Sequence, residues 1–129
     1  MRPLAALLIL AACNTAGPQF RGLTATRITV AGSVFDVRIR GDLAEAIRVN
    51  SQYAPRFGPI RARAAFAMER VSGCAVRSVT GDQAVALGKL ACKDRPDHWP
   101  PPATAYSCVE IATWTRGDAW REFECDPIP

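Results

Sequence analysis

Five cysteines and one histidine are the residues with the most distinctive chemistry in this 129-residue chain. Four of the cysteines lie in its second half, where they could form two disulfides or bind a metal as thiolates. No C-x-x-C pair is present and His98 is the single imidazole, so the spacing does not fit a zinc site. We therefore predict two disulfides, no metal and no cofactor. The four cysteines are Cys74, Cys92, Cys108 and Cys125.

The fifth cysteine, Cys13, closes a short apolar stretch near the start of the chain. Arg2 precedes this stretch, residues 4–12, which is much shorter than the roughly 20 apolar residues of a membrane span. The run Leu10-Ala11-Ala12-Cys13 resembles the lipobox of bacterial lipoproteins. The resemblance implies that residues 1–12 are a signal peptide. It also implies that the thiol of Cys13 receives a diacylglyceryl group and that the new amine is often acylated.

This resemblance implies a location in the bacterial cell envelope, with the chain anchored in a membrane and facing the periplasm. Two or more acyl chains retain a protein stably, whereas a single chain gives reversible binding. The residue after the cysteine is Asn14, not Asp, which slightly favours the outer membrane. The alternative is a plain secreted protein with a chance cysteine near its cleavage site.

The charge pattern does not indicate a nucleic-acid partner. The chain has 16 basic and 12 acidic residues, a formal net charge of +4. The basic residues are spread out, without the dense blocks or interleaved aromatics of RNA-binding domains. We expect the lipid bilayer to be one partner, through acylated Cys13, and an envelope protein or the cell wall to be another.

Repeated glycine pairs predict a series of β-hairpin turns. Gly accepts the positive φ that a two-residue type II′ turn requires at its first central position. The four pairs are Gly32-Ser33, Gly41-Asp42, Gly81-Asp82 and Gly117-Asp118.

Side-chain alternation extends the first two turns into a three-stranded meander. The predicted register pairs Val30 with Phe35 across the first turn. Across the second it pairs Arg38 with Glu45, on the wetter face of the sheet. Ile47 falls on that wetter face, so either a bulge occurs just before it or the face is partly covered.

A helix is predicted after the meander. Pro59 suits its first position and Gly73 suits the position after its last residue. Phe66 falls outside the apolar stripe and could contact the tail or a partner. The stripe consists of Ile60, Ala64, Ala67, Met68 and Val71.

Four cysteines allow three pairings, and the hairpins favour one of them. Cys74–Cys92 and Cys108–Cys125 each flank a predicted hairpin. A strict two-residue turn would place Lys89 opposite Cys74, so the first pairing needs a bulge, a longer turn or a bend. The second pairing is also two residues out of strict register.

The fold class predicted is α+β. A small antiparallel sheet in the order β-β-β-α-β-β carries one packed helix, and a C-terminal β-hairpin is added to it. The predicted boundaries are a tether at 13–22, the α+β domain at 23–92, a Pro-rich connector at 93–105 and the hairpin at 106–129.

No residue pattern names a substrate, so the predicted function is a non-enzymatic interaction or accessory module. Its possible contact surface comprises Phe66, Trp99 and Trp120. Two alternatives stay open: a small envelope hydrolase acting on peptidoglycan or polysaccharide through two carboxylates, and an inhibitor of a periplasmic enzyme that inserts the hairpin. The acids considered for the hydrolase are Asp36, Glu45, Glu69 and Asp82, and each also has a structural explanation.

Overall fold

A computed structural model describes residues 14–52, 56–95, 105–115 and 118–128, and it describes the side chains in these ranges except those of residues 112–123. In this part of the chain seven strands form one sheet, and one α-helix packs on it. The strands are β1 (Thr26–Val30), β2 (Ser33–Arg40), β3 (Leu43–Arg48), β4 (Ala75–Gly81), β5 (Val85–Ala91), β6 (Ala105–Thr115) and β7 (Asp118–Ile128), and the helix is α1 (Phe57–Ser72).

The sheet runs in the order β4-β5-β3-β2-β1-β6-β7. Neighbouring strands are antiparallel except β1 and β6, which are parallel. The α+β class is confirmed, but the small antiparallel sheet with a separate hairpin is wrong. The hairpin β6–β7 extends the sheet because residues 105–108 pair with Arg27–Val30 and supply partners for the otherwise open edge of β1.

The two turns of the meander differ from each other. Across Gly41-Asp42 the pairing of Arg38 with Glu45 is confirmed, and Gly41 has φ +61°. Across the first turn Val30 pairs with Ser33 instead of Phe35. The turn residues are Ala31 and Gly32, both with positive φ, as a type I′ turn requires. The shift of two positions leaves every side chain on its predicted face.

The β4–β5 hairpin contains both a longer turn and a bulge. Gly81 pairs with Ala86, so the connection is longer than two residues. The register shifts between Val76 and Ser78, which brings Ala75 opposite Ala91. Together these features align the Cys74–Cys92 disulfide, confirming that pairing.

In the last hairpin Cys108 pairs directly with Cys125, and a disulfide joins them as predicted. Thr115 pairs with Asp118, so the connecting residues are 116–117, one position earlier than the predicted Gly-Asp turn. Those two residues lie outside the described part of the chain.

Helix α1 starts two residues before Pro59 and ends where predicted. Gly73 has φ +72°, and its N–H donates to the carbonyl oxygen of Glu69. The five residues of the predicted apolar stripe are all buried. They pack on one face of the sheet, against side chains such as Ile28 and Phe35, so the hydrophobic core lies between α1 and this face.

Candidate functional site

The sheet face opposite α1 is polar and covered. Asp36 and Glu45 on this face are 4% and 1% exposed. Ile47 is buried as well, and β3 pairs with β2 through it without a bulge. Of the two explanations predicted for Ile47, a bulge or a partly covered face, the covered face is therefore correct. The cover is residues 14–23, which we call the N-terminal segment.

Glu45 and Arg38 hold the middle and the end of the N-terminal segment. The Gly17 amide donates to Glu45 Oε2 at 2.8 Å. Arg38 Nε donates to the carbonyl oxygen of Leu23 at 3.3 Å, and its Nη1 lies 3.7 Å from Glu45 Oε1. A carboxyl group this deeply buried needs such partners, because burial of an unpaired polar or charged group is costly.

Asp36 holds the beginning of the segment. It accepts hydrogen bonds from Arg27 Nε at 2.8 Å and Arg27 Nη2 at 2.9 Å, and another from the side-chain amide of Asn14. The hydrogen bond from Arg27 is the main reason that the pKa of Asp36 lies below its ordinary value, although burial opposes this shift. Asp36 is therefore ionised at neutral pH.

Phe20 and Gly17 fit the segment to the sheet. Phe20 ends a short 3₁₀ turn, Pro18–Phe20, and is 3% exposed. A Cβ at Gly17 would lie 2.8 Å from Glu45 Oε2, so any larger residue here would displace either the carboxylate or the segment. Residues 14–22, predicted as a tether, thus contact the sheet along much of their length. Sequence reasoning missed these contacts because irregular backbone makes them, and Phe20 is the single large apolar side chain in residues 14–22.

The hairpin β6–β7 continues beyond the rest of the sheet. β6 pairs with β1 at residues 105–108, and in the described part of the chain 109–115 pair with β7 alone. Seven residues at about 3.3 Å each make this two-stranded ribbon about 23 Å long. The Cys108–Cys125 disulfide lies at its base. We call residues 109–124 the projecting hairpin.

The hairpin and the rest of the fold carry opposite charge. Residues 105–129 contain five acidic and two basic residues, whereas residues 14–95 contain thirteen basic and six acidic ones. The projecting hairpin therefore differs from the rest of the fold in its charge as well as in its extension beyond the sheet.

The structure places the predicted contact residues differently from one another. Phe66 is half-buried and packs against the core. Trp120 pairs in register with Thr113 within the projecting hairpin. Trp99, and the predicted lipid carrier Cys13, lie outside the described residues.

The candidate hydrolase acids serve structural contacts. Asp82 accepts hydrogen bonds from the amides of Val85 at 2.9 Å and Ala84 at 2.8 Å, which lower its pKa. Glu69 accepts from the amide of Val76 at 3.2 Å. The pKa values of Asp36 and Asp82 are both lowered, opposite to the direction that a general acid requires.

Among the described residues, no three His, Cys, Asp or Glu side chains are grouped so that they could hold a metal ion. No helix in the described part of the chain has the length and apolarity needed to cross a bilayer. No protein-family model, curated protein or solved structure matches this chain.

Proposed function

We propose that this protein is a lipoprotein of the bacterial cell envelope, anchored through Cys13, that acts as a non-enzymatic interaction module. The projecting hairpin is the observation that carries the proposal. An isolated two-stranded hairpin is at best marginally stable in water. Here a disulfide fixes its base while residues 109–115 and 118–124 extend past the remaining strands. Such an element is suited to contact with another molecule.

The disulfides support the proposed location. Two disulfides in a small domain are typical of proteins in oxidising compartments outside the cytoplasm. The lipobox resemblance at Leu10-Ala11-Ala12-Cys13 adds the membrane anchor. The bacterial outer membrane is the favoured membrane, because Asn14 follows the cysteine.

Inhibition of a periplasmic enzyme is a second candidate that uses the same hairpin. A narrow stapled ribbon could enter a cleft, with its acidic residues opposite basic groups of the target. Loss of a bound enzyme's activity would distinguish an inhibitor from an accessory protein.

The anchor is tested by mass analysis and fractionation in the native host. The N-terminal peptide of the wild-type protein should start at Cys13 and carry a diacylglyceryl group. Cys13→Ala should release the protein from membranes that have been washed with high salt. An intact leader with an unmodified thiol would contradict the proposal.

The contact element is tested by site-specific photo-crosslinking in living cells. A photoreactive residue at Val109, which is 58% exposed, should give the same protein adduct as one at its register partner Glu124. The matched control is Thr80, an exposed residue on β4 at the opposite edge of the sheet. Equal adducts at all three positions, or none at the hairpin, would contradict the proposed role.

A further inference from the structure

The N-terminal segment leaves very little chain between the proposed anchor and the folded sheet. Asn14 donates its side-chain amide to Asp36, and Asp36 lies in β2 near the middle of the sheet. Consecutive Cα atoms are about 3.8 Å apart, so a lipid attached to the residue before Asn14 would be joined to the chain only one peptide unit from this contact. A lipid on Cys13 would therefore bring a membrane surface close to the polar face.

Exposed basic side chains surround the N-terminal segment. Arg21 lies in the segment itself, and Arg40 beside it donates to the carbonyl oxygen of Gln19 at 2.8 Å. The side chain of Arg27 stays 55% exposed despite its ion pair. Lys89 is exposed in the groove next to Phe20.

Around the N-terminal segment the exposed basic side chains outnumber the exposed acids. Asp36 and Glu45 are buried and paired, so they offer little negative charge to the outside. Asp42 and Asp82 are exposed in the β2–β3 and β4–β5 turns, and Glu124 and Asp126 are exposed on β7, three strands away from β2. The surface around the N-terminal segment therefore carries more exposed basic than acidic side chains, which suits anionic phosphate groups.

An apolar side chain adds a second element of complementarity. Leu87 is 45% exposed on this face, beside Phe20 and Val85. It borders a groove of about 370 Å³ that runs along Pro18 and Phe20. An exposed leucine among arginines and lysine suits the boundary between headgroups and acyl chains.

We propose that the polar face, with its N-terminal segment, rests against the anionic phospholipid headgroups of the membrane that holds Cys13. This proposal rests on the lipidation of Cys13 proposed above and adds the orientation of the folded body. Helix α1 and its exposed surface face away from the bilayer, into the aqueous compartment.

The orientation is tested with the lipidated protein purified from membranes. It is reconstituted into phosphatidylcholine vesicles that contain one-third phosphatidylglycerol. A photoreactive residue replaces Leu87 in one variant and Ala62, exposed on α1, in the matched control. Lipid adducts should be severalfold more abundant at position 87. Equal yields, or a higher yield at position 62, would overturn the proposed orientation.

The charge contribution is tested by two matched double variants, each with the photoreactive residue at position 87. Arg21→Gln/Lys89→Gln removes two cations of the polar face, while Arg61→Gln/Arg77→Gln removes two exposed cations from α1 and β4. The first double variant should reduce the adduct yield severalfold on the anionic vesicles and change it little on pure phosphatidylcholine. The second should leave both yields unchanged. Equal effects of the two variants would refute recognition of anionic headgroups by this face.

Mass analysis of the same preparation separates the two possible failures. If the diacylglyceryl group is present and the adduct yields are equal, the orientation is wrong and the anchored lipoprotein stands. If Cys13 carries no lipid, the anchor is wrong and the orientation that depends on it is refuted with it.

Discussion

The two faces of the sheet are covered in different ways. On one face α1 buries an apolar stripe, and the contacts are non-directional packing between side chains such as Met68 and Phe35. On the other face an irregular segment lies over charged side chains, and the contacts are hydrogen bonds from Gly17 and Asn14 to two carboxylates. Successive side chains of β2 and β3 point alternately to these two faces, so the same two strands contribute residues to both.

This difference in contacts determines how α1 and the N-terminal segment should respond to a substitution. Apolar burial spreads the stabilising free energy over many contacts, so loss of one large side chain weakens the whole fold. The polar face depends on a few directional contacts, so loss of one should release the segment first. Four substitutions test this contrast, in order of decreasing effect.

Phe35→Ala should have the largest effect because Phe35 is 1% exposed in the core beneath α1. Its removal should lower the free energy of unfolding by about 3–5 kcal/mol. Urea denaturation followed by circular dichroism measures this loss. A loss below about 1 kcal/mol would show that the helix face is not the main source of stability.

Glu45→Ala should lower the free energy of unfolding by about 3 kcal/mol, because the Arg38 side chain, which is only 11% exposed, loses its carboxylate partner. It should also free the N-terminal segment, so limited trypsin digestion should cut after Arg21 well before the body unfolds. Glu124→Ala, at an exposed position, is the control and should leave both measurements unchanged. Digestion of the variant at the wild-type rate would argue against Glu45 as a holding residue.

Asp36→Asn should lower the free energy of unfolding by about 2 kcal/mol near neutral pH, because Arg27 loses a charged partner. The pKa of Asp36 is lowered in the folded state, so its contribution is complete above the unfolded pKa of about 3.9 and is lost as the pH falls through the folded value. The difference between wild type and variant should therefore be constant from about pH 5 to 7 and shrink below about pH 4. A difference that does not change with pH would show that ionised Asp36 is not involved.

Gly17→Ala should have the smallest effect, about 1 kcal/mol, confined to the N-terminal segment. Its Cβ would lie 2.8 Å from Glu45 Oε2, so the carboxylate or the segment must move and their hydrogen bond is weakened. Gly58→Ala is the matched control, because no atom lies within 4 Å of the added Cβ there. If both variants raise the trypsin cleavage rate at Arg21 equally, the close approach is not what places the segment.

Sequence reasoning succeeded where the determining signals are local. The stripe containing Ile60 and Met68 specifies the buried face of α1, and Gly73 specifies its end. Gly41 specifies the β2–β3 turn, which in turn fixes Arg38 opposite Glu45.

It failed where contacts join distant or irregular segments. The parallel pairing of β1 with β6 links Ile28 to Tyr106, and no local pattern encodes such a pairing. The N-terminal segment resembles a linker in composition, yet Gly17 and Phe20 fit it to the sheet. Shape and hydrogen bonding decide these contacts, and neither shows as periodicity.

The hydrogen-exchange rate of the Gly17 amide tests most directly whether the N-terminal segment is part of the fold. It is measured by NMR on wild type and on Glu45→Ala. The hydrogen bond to Glu45 predicts slow exchange in the wild type and a large increase in the variant. Exchange in the wild type at the rate of an unstructured peptide would contradict the docked segment and, with it, the close approach of the sheet to the membrane.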